Sequence, residues 1–186
     1  SLKIKNRSLK TSFNKDESIN KEGLRNIINH SINENVNGLY VTGSTGETFL
    51  MSPEEKKKVI DIIVEEVNGR VPVIAHIGSI GTKITTDLAE YATKAGVDGL
   101  SALPPFYYNF TNEEIFNYYS DIAKSSDLPI IIYNIERANL MDIDTLKKLA
   151  AIENIKGVKY TAATNLNFEV IKKEIGNYFK IYNCIV

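Results

Sequence analysis

This sequence holds a single cysteine, Cys184, among its 186 residues. That excludes an internal disulfide and leaves no thiolate cluster for zinc or iron–sulfur, as suits a reducing compartment. It also lacks a charge of one dominant sign: 22 Lys and Arg stand against 23 Asp and Glu, for a formal charge of −1. With no basic stripe, nucleic acid is not an expected partner. No apolar run approaches membrane-spanning length, and the opening Ser1-Leu2-Lys3-Ile4-Lys5 lacks the apolar segment of a signal peptide. A cytoplasmic protein without membrane contact is therefore expected. No Gly-x-Gly-x-x-Gly turn follows an early strand, and Gly43-Ser44-Thr45-Gly46 lacks the lysine and hydroxyl that complete a phosphate loop. Low-complexity segments and linkers are absent as well, so residues 1–186 read as one domain.

What is present is a regular alternation. Runs that are apolar throughout, at Gly38–Val41, Val71–Ile77, Gly99–Leu103, Leu128–Ile135, Ile155–Tyr160 and Phe179–Cys184, suit parallel strands covered on both faces. Between them lie helical patterns. Ile19, Leu24, Ile27, Ile28 and Ile32 repeat at helical spacing, and Ser52-Pro53-Glu54-Glu55 is a capping box with proline at the first helical position. Asp87–Ala95, Asn112–Ala123, Ile143–Ala151 and Asn165–Ile175 follow. The run Lys56-Lys57-Lys58 reads as a solvated helix face.

The strands recur roughly every 28 residues, the length of a βα unit. Such alternation builds either a doubly wound sheet or an eightfold barrel. The polar candidates sit at the C-terminal ends of successive strands, where barrel active sites form, so the expected fold is an α/β (β/α)8 TIM barrel. With Leu9–Phe13 as a weak first strand, the chain holds about seven strands and stops after the seventh, short of a complete barrel of about 250 residues. A fragment and a shortened gene product are equally compatible with that ending.

One residue stands out chemically. Lys159 sits late in an apolar strand, where desolvation disfavours the charged amine. A neutral amine can attack a carbonyl and form a Schiff base. Tyr133, late in the preceding strand, is a candidate proton carrier. The glycine turn of Ser44 and Thr45 offers backbone N–H groups and hydroxyls to an anion. His76 reads as a buried histidine, and Glu47 as a turn-bracing carboxylate.

Together these residues resemble the N-acetylneuraminate lyase and dihydrodipicolinate synthase superfamily of pyruvate-dependent class I aldolases, from about Phe13 to Tyr182. Gly38-Leu39-Tyr40-Val41 leading into Gly43-Ser44-Thr45-Gly46-Glu47 is similar to the family's pyruvate-binding turn. Pro105-Phe106-Tyr107-Tyr108 resembles its aromatic loop, Tyr133-Asn134-Ile135 its tyrosine strand, and Gly157-Val158-Lys159 its Schiff-base strand.

The resemblance implies Lys159 and Tyr133 as catalytic residues and Ser44, Thr45, Thr161 and Tyr107 as substrate-binding ones. Tyr107 would reach toward a neighbouring subunit of a homotetramer. The implied ligand is a small 2-oxo acid or sugar acid, with no metal or organic cofactor. Ser44-Thr45, Phe106-Tyr107-Tyr108 and Lys159-Tyr160-Thr161 lean toward the sialic acid lyase branch. The synthase branch carries an arginine five positions after its tyrosine; Ala138 stands there, with Arg137 just before, so that branch and the sugar acid aldolases stay open. So does a non-catalytic paralogue.

The sequence departs from the family pattern in three places. Glu136 replaces the usual proline after the tyrosine strand, in an interval to Lys159 that is about two residues short. Such a change could displace Tyr133 by about an ångström. Lys10 stands in the first-strand region. Cys184-Ile185-Val186 occupies the place of a glycine and an Asp-Glu pair.

Overall fold

The computed structural model describes residues 6–136, 138–161, 166–176 and 178–183. Arg137 and the Cys184-Ile185-Val186 ending lie outside them. Strands β1 (Asn6–Ser8), β2 (Gly38–Val41), β3 (Val73–His76), β4 (Gly99–Ala102), β5 (Ile130–Ile135), β6 (Ile155–Thr161) and β7 (Lys180–Asn183) lie in chain order in the sheet. Helices α1 (Lys21–Asn33), α2 (Pro53–Val67), α3 (Thr82–Ala95), α4 (Asn112–Lys124), α5 (Ile143–Ala150) and α6 (Leu166–Ile175) alternate with them. The chain divides into two compact units, Ser1–Ile77 with Glu90–Leu100 and Gly78–Ala89 with Ser101–Val186.

In the first unit β1, β2 and β3 pair in parallel, with Ser8 opposite Tyr40 and Tyr40 opposite Ile74. All four residues of β2 are buried, as a strand covered on both faces requires. The first strand lies earlier than expected. Leu9 N–H still donates to Tyr40 O at 2.9 Å, but beyond it the segment turns back on itself: Asn14 N–H donates to Ser18 O at 2.8 Å, and Phe13 bridges Ile19 in antiparallel fashion. Lys10 is thereby exposed beyond the strand, and its charge needs no polar interior.

Helix α2 starts at the expected capping box. The Ser52 hydroxyl accepts from Glu55 N–H, and Ser52 N–H donates to the Glu55 carboxylate. The lysine run behind it is not a uniformly solvated face. Lys56 shares a helical face with Val59, Ile60 and Ile63, is only 4% exposed and points its amine over the Phe49 ring at 5.7 Å. Burial pushes that amine below the usual lysine range.

In the second unit β5, β6 and β7 are parallel, and helices α4 and α5 begin at Thr111 and Asp142 caps. Gly157 has a steric reason: a Cβ there would stand 2.4 Å from Lys180 O. Only glycine lets β7 approach β6 so closely. A buried polar cluster fixes the segment after β3. Tyr118 OH lies 3.1 Å from Thr85 Oγ1, which in turn accepts from Ser79 N–H at 3.1 Å.

Candidate active site

The strand registers of the second unit assemble a lysine between two tyrosines. Tyr133 is opposite Lys159, and Lys159 is opposite Tyr182. Register partners in adjacent strands share a face, so the three side chains form one row. Lys159 is the fifth of seven β6 residues, half-buried between Val158 and Tyr160, which are 0% and 2% exposed. One step below on the same face is Gly157, over which the backbone of Lys180 closes. The Lys159 amine stands 3.7 Å from the centroid of the Tyr133 ring, over its electron-rich face. Tyr133 is 5% exposed and packs with Leu103, Ala138, Phe106 and Ile135. Tyr182, which the motifs did not single out, is half-buried, and burial pushes its phenol up.

Thr161 closes β6 opposite Ile135. Its Oγ1 is buried and meets no hydrogen-bond partner among the described residues. A buried hydroxyl left unpaired costs free energy unless a ligand or water meets it.

Beyond Tyr133 the chain makes a tight turn that does not need proline. Ala138 N–H donates to Ile135 O at 3.0 Å, closing Ile135–Ala138 with Glu136 at its second position. Proline favours that position but is not essential to it. Asn134, fully buried on the opposite face of β5, then ties the loop down. It accepts from Met141 N–H at 3.0 Å and donates to Met141 O at 3.4 Å. Asn139, at φ 38°, reaches the other way, donating to Pro105 O at 2.7 Å and Tyr108 O at 2.9 Å. The loops after β4 and β5 are thus fastened by one amide. Motif reading named Asn134 only as part of a strand and missed Asn139, although a polar amide in a short loop was the available signal.

Tyr107 projects from the first of these loops, 84% exposed at φ 82°, its ring edge-on to Tyr108 at 4.9 Å. Between the loops lies a recess of about 370 Å³, lined by both tyrosines, Asn109, Glu136, Ala138 and Asn139, among others.

Ser44 and Thr45 belong to the first unit. They open a short 3-10 turn, Ser44–Gly46, directly after β2, and both are exposed. The leading N–H groups of such a turn have no partner within it. The turn is held from behind: Gly46 N–H donates to Gly43 O at 2.9 Å, and Thr11 Oγ1 donates to Gly46 O at 2.8 Å. Gly43 faces Tyr40, whose ring would sit 2.6 Å from a Cβ there. Glu47 braces this turn through its left-handed backbone (φ 59°) and its N–H to Ser44 O, while its carboxylate makes no cap hydrogen bond. His76 is 1% exposed, beside Tyr40 and Phe49 at 6.4 and 6.1 Å.

No helix among the described residues is long and apolar enough to cross a membrane.

Comparison with known proteins bears directly on this arrangement. The N-acetylneuraminate lyase of Clostridium perfringens (strain 13 / Type A) is 43% identical over 169 residues, 89% of this chain and 59% of the relative. That of Haemophilus influenzae is 41% identical over 174 residues, 92% of this chain and 59% of its own. The chain thus spans 59% of the length of these curated relatives. Among solved structures, CdNal from Clostridium difficile in complex with mannosamine matches with a TM-score of 0.94 at 40% identity, over 98% of this chain and 64% of that one. The dihydrodipicolinate synthase from Aquifex aeolicus matches at 0.92 and 30% identity, over 96% and 61%. The fold class is accordingly α/β of the TIM-barrel type, with seven parallel strands among the described residues. The model of the dihydrodipicolinate synthetase family matches residues 5–185, and the chain belongs to that family.

Proposed function

We propose that this chain carries the Schiff-base machinery of a carbon–carbon lyase of the N-acetylneuraminate lyase type, releasing pyruvate and N-acetylmannosamine from a sialic acid. The observation that carries this reading is the Lys159 amine set 3.7 Å above the Tyr133 ring. The identities of 41–43% to proteins named N-acetylneuraminate lyase support the choice of branch.

In this mechanism the neutral Lys159 amine adds to the keto carbon of the 2-oxo acid. The carbinolamine loses water and becomes a protonated imine. The C3–C4 bond then breaks, its electron pair flowing into the imine to give a neutral enamine. Tyr133 relays the proton that leaves the C4 hydroxyl as that carbon becomes an aldehyde. Protonation of the enamine at C3 and hydrolysis release pyruvate and restore the lysine. The imine is itself the electron sink, so the scheme calls for no metal or organic cofactor.

Ser44 and Thr45 would hold the 2-oxo acid's carboxylate, a role supported by their leading position in a helical turn. Thr161, whose buried hydroxyl meets no partner among the described residues, would line the sugar side. Tyr107, exposed on its loop, would contribute to the contact between subunits of a homotetramer. Dihydrodipicolinate synthesis is the second reading, supported by the Aquifex aeolicus match. Ala138 stands where that branch carries arginine, with Arg137 just before it, so this position does not separate the two readings.

The test is borohydride trapping with pyruvate, followed by peptide mass spectrometry. A reduced adduct on Lys159 that disappears in Lys159→Arg is expected. A folded sample that forms no adduct would overturn the proposal and leave a non-catalytic relative.

A further inference from the structure

The reaction scheme moves protons at two carbons: one leaves the C4 hydroxyl, and one arrives at C3 of the enamine. Tyr133, on the β5 side of Lys159, serves the first. C3 lies two bonds from the lysine nitrogen, so a group that protonates it must flank the amine too. Tyr182 flanks it from the β7 side, opposite Lys159 in register and on the same face. Its strand is drawn in tightly. Two residues below, Lys180 O would stand 2.4 Å from a Cβ on Gly157. Buried phenols usually find a hydrogen-bond partner, as Tyr118 does with Thr85 and Tyr119 with Ala102 O. The half-buried Tyr182 phenol meets none among the described residues. Burial alone pushes it up, so it keeps its proton at neutral pH, as a donor must.

We propose that Tyr182 is a second catalytic tyrosine, the acid that protonates C3 of the Lys159 enamine. The C2–C3 double-bond pair takes the phenolic proton and becomes the C3–H bond. The nitrogen lone pair re-forms the C=N bond of the protonated imine. The O–H electrons stay on the phenolate, which recovers a proton from water. Run backwards, the same step removes a C3 proton from bound pyruvate. This rests on the pyruvate-lyase reading and gives its C3 proton transfer a residue.

The experiment uses the chain as it is, with pyruvate in deuterium oxide. Loss of the methyl signal in proton NMR reads the reverse step, while borohydride trapping on Lys159 reads the imine separately. Wild type is expected to trap pyruvate and to exchange its methyl hydrogens faster than protein-free buffer does. Tyr182→Phe keeps the ring beside the amine, so trapping should stay within about twofold, whereas exchange per trapped imine should fall by about 10²–10⁴, the range for a positioned acid or base. Thermal melting verifies that this variant is folded. Fluorotyrosine at position 182 has nearly the same shape and a more acidic phenol. It should move the pH profile of exchange to lower pH, which a merely structural ring would not do. An adduct without methyl exchange, unchanged exchange in Tyr182→Phe, equal loss of trapping and exchange in that folded variant, or an unmoved profile with fluorotyrosine would each overturn this inference alone. A folded wild-type chain that forms no adduct strikes the lyase reading, and this inference with it.

Discussion

Gly157 and Lys180 face each other across β6 and β7 with no room for a methyl group, a Cβ on the glycine falling 2.4 Å from the lysine's carbonyl oxygen. Because that atom is backbone, β7 itself must shift to admit a side chain. Gly157→Ala is therefore expected to lower stability by about 1–3 kcal/mol, the cost of overpacking a fitted site. Urea denaturation measures it. Tyr182 rides on the same strand, two register rows above and opposite Lys159, so the variant should also slow pyruvate trapping on Lys159.

Asn134 satisfies both backbone polar groups of Met141, which is 4% exposed. Asn134→Leu leaves that N–H and C=O buried without partners and should cost about 1–3 kcal/mol for each group. Asn134→Asp keeps the acceptor but buries a carboxylate whose charged form is disfavoured. Its folded-state pKa is raised, so its deficit should shrink as pH falls and the acid is neutralised, and grow toward neutrality. A deficit independent of pH between acid and neutral buffers would contradict the argument.

Burial pushes the Tyr118 phenol up to about 12 from its ordinary 10.0, against the hydrogen bonds with Thr85 and Ser79 that pull it down. The folded state thus holds the proton more tightly than the unfolded chain does. The associated stability is complete below pH 10 and is lost as pH rises toward 12, amounting to about 3 kcal/mol at 1.36 kcal/mol per pKa unit. Tyr118→Phe should cost about 1 kcal/mol at pH 7 through the lost hydrogen bonds. Its unfolding free energy should then fall less steeply than wild type in alkali, so that the difference narrows or reverses. Urea titrations at several alkaline pH values test the slope.

Tyr133→Phe preserves the ring that faces the Lys159 amine and removes only the hydroxyl. Folding and the packing around Leu103 and Ala138 should survive, as read by thermal melting. If Tyr133 relays protons, turnover in an active assembly should fall by about 10²–10⁴. A variant with full turnover would reassign the relay to another group.

Much of the fold was legible because parallel strands buried on both faces leave unbroken apolar runs, and six such runs lie on β2 to β7. The first strand was misplaced because Leu9–Phe13 mixes apolar and polar residues, and only the turn at Asn14–Ser18 shows where the ladder must end. Lys56 was misread for a related reason. A run of three like charges suggests solvent, yet helical geometry carries the first of them onto the buried face with Val59 and Ile60.

The sequence by itself determined the βα alternation, the capping box at Ser52 and the residue types of the site, since these follow from local periodicity and side-chain chemistry. Only the tertiary structure decided that Lys159 lies between Tyr133 and Tyr182, that Asn139 fastens two loops together, and that Glu136 faces a recess. Those facts depend on strand register and on contacts between residues far apart in the chain, and a one-residue shift of register would move every side chain of a strand to the other face.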